Sequence, residues 1–435
     1  MKKHLLWRSL SLLMVVAFML SACAPAATEA PAEAPVVEQP TAAPAATEAP
    51  TEAPTEAAAE APAAPEELVF GLLMVGPYND RGWSQAHYDA AEYVTEKMEG
   101  VSFVYVDKVN TADRPGTTGV QLAESLLDQG AKVIIFNSDD MKVDAVEFAK
   151  GHPDIPVIHA SGDTVWKDGM NYEEIPNMSN IMGQMEYGKA MAGCAAALTT
   201  KTGQIGYLGP LINDETRRLA ASVYLGARYC WENYLGKDPA DLTFKVTWIG
   251  FWFNIPGFTA DPTQVADDFY NSGFDVVVSG IDTTEALTEA KKMVESGKEV
   301  WAIPYDYKDA CAEATEVCLG VPYFNWGPSY VKALQSIQDG SYASFFENSA
   351  PDWADINNPD TSMIGFKKGD ALSEEAATNL DAFIAELAGG LNLWTGPLNY
   401  QDGSVFLAEG ETATMQQIWY LGQLLEGMQG QSVAE

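Results

Sequence analysis

The sequence predicts an α/β protein built as two doubly wound lobes of parallel sheet. Three observations predict it. From residue 68 onward, short and almost continuously apolar runs alternate with helical patterns. Such runs are the mark of parallel strands covered on both faces. The globular stretch, about 67–435, is also too long for one comfortable core, so two domains are the expectation.

The elements follow in order. Leu68 to Val75 reads as the first strand, and about Gly82 to Met98 as the helix after it. Phe103 to Val106 is a strand, Thr118 to Gln129 a helix, and Val133 to Phe136 a strand. Val143 to Gly151 reads as helix and Val157 to His159 as strand. The theme repeats with helix 185–198, strand Gln204 to Leu208, helix 214–234 and strand Phe244 to Ile249. Helix 263–272, strand Asp275 to Ser279, helix 284–296 and strand Val300 to Ile303 complete the series.

Upstream of the globular part the chain changes character. Lys2, Lys3 and Arg8 precede an apolar run from Leu10 to Leu20, too short for a span of ~20 residues but shaped like a secretory leader. Leu20-Ser21-Ala22-Cys23 resembles a bacterial lipobox, which makes 1–22 a signal peptide and Cys23 the lipidated N-terminus. Residues 23–66 are nearly all Ala, Pro, Thr and Glu and lack aromatic residues, so they read as a disordered stalk unable to bury a core.

The formal charge of −36 argues against a nucleic-acid partner and a polybasic membrane footprint. Cys23 aside, Cys194, Cys230, Cys311 and Cys318 form an even set in an exported chain. Cys311 with Cys318, and Cys194 with Cys230, are plausible disulfides, with buried free thiols as the alternative. Metal is not expected, since there is no Cys-x-x-Cys and the four histidines show no ligand spacing. There is also no Gly-x-Ser-x-Gly elbow, P-loop, dinucleotide fingerprint or His-Glu-x-x-His, so no enzyme is expected.

Ligands of doubly wound lobes sit beyond the carboxyl ends of the strands. Those ends carry Asn79, Asp80, Trp83 and Ser84, then Asp139 and Asp140, then Ser161-Gly162-Asp163. In the second half they carry Trp252 between two phenylalanines, Gly280 and Asp282, and Tyr305-Asp306-Tyr307. Aromatic faces that stack, beside acceptors that read N–H edges, suit a flat heterocycle or a sugar. Singly, the tryptophans read as core and the aspartates as helix caps. Only their convergence on one rim points to binding.

Asn79-Asp80-Arg81-Gly82-Trp83-Ser84-Gln85 resembles the start of the basic membrane protein family, the lipid-anchored substrate-binding proteins of ABC importers. His152 to Gly162, Lys201 to Tyr207, Leu225 to Arg228, Asn325 to Pro328, Thr395 to Pro397 and Trp419 to Leu421 follow in the same order. The resemblance implies the type I periplasmic binding fold, with lobes joined by a multi-segment hinge. Lobe one would take 67–184 and about 317–345, and lobe two 185–316 and about 346–435. It implies a purine base or nucleoside clamped by Trp83 and Trp252, read by Asp139 or Asp140 and by Asp306, with Gly280 and Asp282 lining the adjacent loop. Trp326 falls where nucleoside binders tend to carry a lysine, so a bare base is favoured over a nucleoside. The implied partners are an ABC permease and ATPase, with a monomer tethered by Cys23 to the outer face of the cell membrane. A sugar or another small polar metabolite is the alternative ligand, and a sensing surface lipoprotein the alternative role.

Overall fold

The structure, a computed structural model, describes residues 67–434. The signal peptide, Cys23 and the stalk lie outside the described residues. The first lobe begins with β1 (Leu68–Leu73), α1 (Trp83–Lys97), β2 (Val101–Val106) and α2 (Gly119–Asp128). It continues with β3 (Val133–Phe136), α3 (Lys142–Gly151), β4 (Val157–Ala160) and β5 (Met178–Gly183). The second lobe takes α4 (Met185–Thr199), β6 (Gln204–Gly209), α5 (Asp214–Asn233) and β7 (Thr243–Trp248). To it also belong α6 (Pro262–Asn271), β8 (Val276–Ser279), α7 (Glu285–Glu295) and β9 (Trp301–Ile303). The chain then runs through β10 (Gly320–Phe324), α8 (Gly327–Gln338), β11 (Phe346–Ser349), β12 (Ile364–Lys368) and α9 (Glu374–Ala388). It finishes with β13 (Leu398–Asn399), β14 (Val405–Leu407), α10 (Met415–Trp419) and β15 (Met428–Gln429).

Two parallel sheets result, ordered β11-β5-β4-β3-β1-β2 and β15-β7-β6-β8-β9. Val133–Phe136 and Val276–Ser279 are buried at every position, as strands covered on both faces require. Their order reverses beside β1 in one sheet and beside β6 in the other, which opens a crevice at the carboxyl ends.

β5 has no apolar run to announce it, because Ser179, Asn180 and Gly183 interrupt it. Its polar groups are instead satisfied inside. The Asn180 side chain accepts from the Val165 N–H at 2.8 Å, and the Ser179 and Tyr342 hydroxyls lie 2.8 Å apart. β11 (Phe-Glu-Asn-Ser) is likewise polar, and it pairs in parallel with β5. The first lobe therefore reaches residue 349, past the expected boundary near 345.

The chain crosses between the sheets after β5, through β10, and again between β11 and β12. β10 and β12 form an antiparallel ribbon. Cys194–Cys230 joins α4 to α5, whose backbones lie too close for side chains at Gly193 and Gly226. A second disulfide, Cys311–Cys318, closes the loop after β9. No helix among the described residues is long and apolar enough to cross a membrane.

Candidate ligand-binding cleft

Strand ends from both sheets meet around a small cavity. The first lobe supplies Trp83 at the start of α1, Ser138 and Asp139 after β3, and Ser161 after β4. The second supplies Trp252 after β7, Gly280 and Asp282 after β8, Tyr305 after β9, Tyr207 from β6, and Glu215, Thr216 and Leu219 from α5. A larger cavity lies between α4, α5, the ends of β5 and β11 and the C-terminal segment. Its one carboxylate, Glu186, is already bonded to Arg218 at 2.8 Å.

Trp83 is positioned by a hydrogen bond and by rings. Its indole N–H donates to the Asn137 carbonyl at 2.6 Å, and Phe324 and Trp326 meet it edge-on at 5.2 Å. Trp326 itself stacks between Phe324 (4.7 Å) and His87 (4.3 Å) and is fully buried. It therefore backs Trp83 and is not among the residues that line the cleft, so its position gives no ground for the expected preference for a bare base. Trp252 is fixed through its carbonyl, which accepts from the Asp282 N–H at 2.9 Å.

The other expected residues divide. Asp139 lines the cleft, whereas Asp140 faces solvent on the short turn that follows β3. Asn79 is exposed. Asp80 spends its oxygens on the N–H groups of Gly82, Ser84 and Gln85 and so caps α1. Burial nonetheless pushes its carboxyl up to about 6. Ser84 accepts from the Gly76 N–H at 3.0 Å and shapes the loop. Gly280 is required where it stands, since a Cβ there would lie 2.2 Å from the Tyr207 hydroxyl.

Asp306 lies beside Tyr305, fully buried, at φ 69°, with no partner for either oxygen among the described residues. Lys189 on α4 is its counter-charge. The Lys189 ammonium donates to the Ser279 carbonyl at 2.8 Å and sits 3.0 Å from the Tyr305 ring centre. Burial holds Asp282 and Asp306 well above the ordinary carboxylate range; Lys189 pulls Asp306 partly back, and Asp306 pushes Asp282 further up. Burial likewise drives Lys189 well below its usual value.

His87 is a core residue. Its Nδ1 pairs with the Tyr330 hydroxyl at 2.6 Å, and burial lowers its pKa so that it stays neutral. No group of three or more metal-capable side chains occurs among the described residues.

Sequence reasoning missed Tyr207, Glu215, Thr216, Leu219 and Lys189. All sit inside regular elements, where apolar or capping roles explain them equally well. Tyr305 was visible at its strand end, directly before Asp306, but was not singled out.

The lobes touch across the cleft. A Cβ on Gly82 would fall 1.6 Å from the Asp282 carbonyl oxygen, and Arg81 pairs with Glu313 at 2.9 Å. The structure is thus a closed arrangement of a two-lobed clamp. Residues 68–381 match the family model described as ABC transporter substrate-binding protein, PnrA-like.

The chain belongs to that family.

The purine-binding protein of Brucella abortus is 27% identical over 351 residues, covering 80% of this chain and 89% of that one. A putative ABC transporter glucose-binding protein of Haloferax volcanii is 23% identical over 372 residues, covering 85% and 82%. Among solved structures, an ABC transporter solute-binding protein of Aeropyrum pernix superposes with a TM-score of 0.56 at 14% identity, covering 74% of this chain and 90% of that one, which shows the shared fold. PnrA-like proteins bind solutes and are not an enzymatic family. As an ABC substrate-binding protein this chain works outside the cytoplasm, with a small-molecule ligand and transporter components as its partners.

Proposed function

We propose that the chain is a lipid-anchored receptor of an ABC importer that captures a purine base or nucleoside between its lobes. The observation that carries this reading is the pairing of Trp83 and Trp252, from different lobes, around one cavity edged by Asp139 and Asp282. Two indoles can hold both faces of a flat ring, and the carboxylates can accept from its N–H groups. Stacking contributes roughly 0.5–1.5 kcal/mol per pair beyond area burial, and charge-assisted hydrogen bonds ~1.5–3 kcal/mol each. Together these support micromolar or tighter binding. The Brucella relative, named for purine binding, favours the same ligand class.

A bare base is preferred over a nucleoside. Tyr207, Leu219 and Tyr305 support that preference, because they wall the second-lobe side of the cavity. Closure delivers the ligand, since contacts to both lobes exist only when the lobes meet. The proposed anchor is Cys23, with the Ala/Pro/Thr/Glu segment giving reach toward the permease.

A sugar is the second reading, favoured by the name of the Haloferax relative and by the suitability of aromatic and carboxylate walls for sugar rings. Calorimetric titration with adenine, guanine, hypoxanthine, their nucleosides, ribose and glucose separates the two. One-to-one binding of a purine is expected, with Trp83→Ala and Trp252→Ala each weakening it by about tenfold or more. Binding of glucose or ribose with silence toward every purine would overturn the purine assignment.

A further inference from the structure

Acids around the cleft outnumber the cations free to answer them. Asp139 comes from the first lobe and Glu215 and Asp282 from the second, and all three line the same cavity. Each nearby cation is engaged. Lys142 is paired with Asp163 at 2.7 Å. Arg218 is paired with Glu186 at 2.8 Å and lies 4.3 Å over the Trp419 ring. Lys189 is held by the Ser279 carbonyl and the Tyr305 ring.

Glu215 stands in the first turn of α5, where the positive helix end favours a carboxylate. Burial pushes it up to about 7 against the pull of Arg218, and Asp139 across the cleft adds to the rise. A second observation points the same way. The hydroxyls of Ser161 and Tyr305 line this cavity, are 7% and 5% exposed as residues, and have no hydrogen-bond partner among the described residues. Buried polar groups are normally paired, so acceptors on both walls and two idle hydroxyls leave a ligand to complete the network.

We infer that Glu215 and Asp139 set ligand choice by demanding N–H donors toward both lobes, so that amino-substituted heterocycles are taken and their oxo-substituted counterparts refused. The inference rests on the purine reading above and sharpens it. An oxo group facing Asp139, or facing Glu215 once it is ionised above about pH 7, brings acceptor against acceptor and leaves a buried charge unpaired, which costs far more than a missing apolar contact. Adenine and 2,6-diaminopurine offer exocyclic amines where hypoxanthine and xanthine carry oxygens. Glu215 is therefore a specificity residue that touches the ligand, and Asp139 is its counterpart on the first lobe.

Calorimetry with these four purines at pH 8, where Glu215 is ionised, tests the inference. The purified protein is expected to bind adenine and 2,6-diaminopurine at least about tenfold more tightly than hypoxanthine and xanthine. In Glu215→Gln the amide both donates and accepts, so the preference is expected to fall below about threefold with the melting temperature kept. Asp139→Asn is expected to narrow it in the same direction, which guards against a folding defect in one variant. Equal affinity for adenine and hypoxanthine, or an undiminished preference in both variants, overturns the inference and leaves purine binding standing. Failure of all four purines to bind overturns both.

Discussion

Trp83 is set in place before any ligand arrives. Its N–H is committed to the Asn137 carbonyl and its edges to Phe324, Trp326 and His87, so stacking costs little side-chain entropy. Gly280 plays a matching part on the other wall by leaving room for the Tyr207 phenol. Gly280→Ala is expected to push that ring into the cavity, costing about 1–3 kcal/mol of overpacking. Ligand affinity should then fall by about tenfold while the far-ultraviolet circular dichroism is unchanged. Unaltered affinity in a folded variant would show that Tyr207 does not wall the bound ligand. At this scale Trp83, Asp139 and Trp252 were legible because they follow strand ends, where large aromatics and acids are conspicuous. Tyr207 and Lys189 were not, because a ring in an apolar strand or a lysine in an alanine-rich helix carries no mark of what it faces. Asp80 and Ser84 were legible as rim residues, but local capping accounts for their hydrogen bonds.

Two loops carry the contact that closes the rim. Arg81 sits at φ 59° between the cap Asp80 and Gly82, aimed at Glu313 of the opposite lobe. Glu313 ends a short turn inside the loop closed by Cys311–Cys318, and the Thr284 hydroxyl donates to it at 2.5 Å. The pair is partly solvated, with side chains 54% and 26% exposed, so it is worth no more than about 1 kcal/mol. Arg81→Ala is accordingly expected to raise the ligand dissociation rate about two- to fivefold, with little change in association and a smaller effect in 1 M salt. Stopped-flow tryptophan fluorescence reads both rates, and an unchanged dissociation rate would remove the pair from the closing mechanism. The alternating elements up to β9 were legible to within a residue or two at most ends, because apolar strands and amphipathic helices differ in period. β5 and β11 were hidden by polar side chains that pair within the fold. The strands after residue 390 span only two or three residues each, too few to leave a periodic trace.

The whole molecule faces the cost of bringing like charges together. Closing the clamp gathers Asp80 and Asp139 from one lobe with Glu215, Asp282 and Asp306 from the other, against Lys189 and the already paired Arg218. Asp80 is raised to about 6 and Glu215 to about 7, in both cases first by burial, and Asp282 and Asp306 are raised as well. Carboxyls that regain water on opening return toward their ordinary values near 4. The closed form thus holds more protons than the open form between about pH 4 and 7. Closure without ligand is therefore favoured as pH falls through that window, and the advantage is lost as pH rises through about 7. Small-angle scattering of the unliganded protein is expected to show the radius of gyration shrinking from pH 8 to pH 5. The high net negative charge would also compact the chain as it is neutralised, but 0.5 M salt screens that surface contribution and leaves the buried one. A ligand that donates to the cleft carboxylates replaces the protons, so the liganded radius should stay flat over the same range. An unliganded radius that is constant in high salt, or that grows as pH falls, would show that the cleft acids do not hold the empty clamp open.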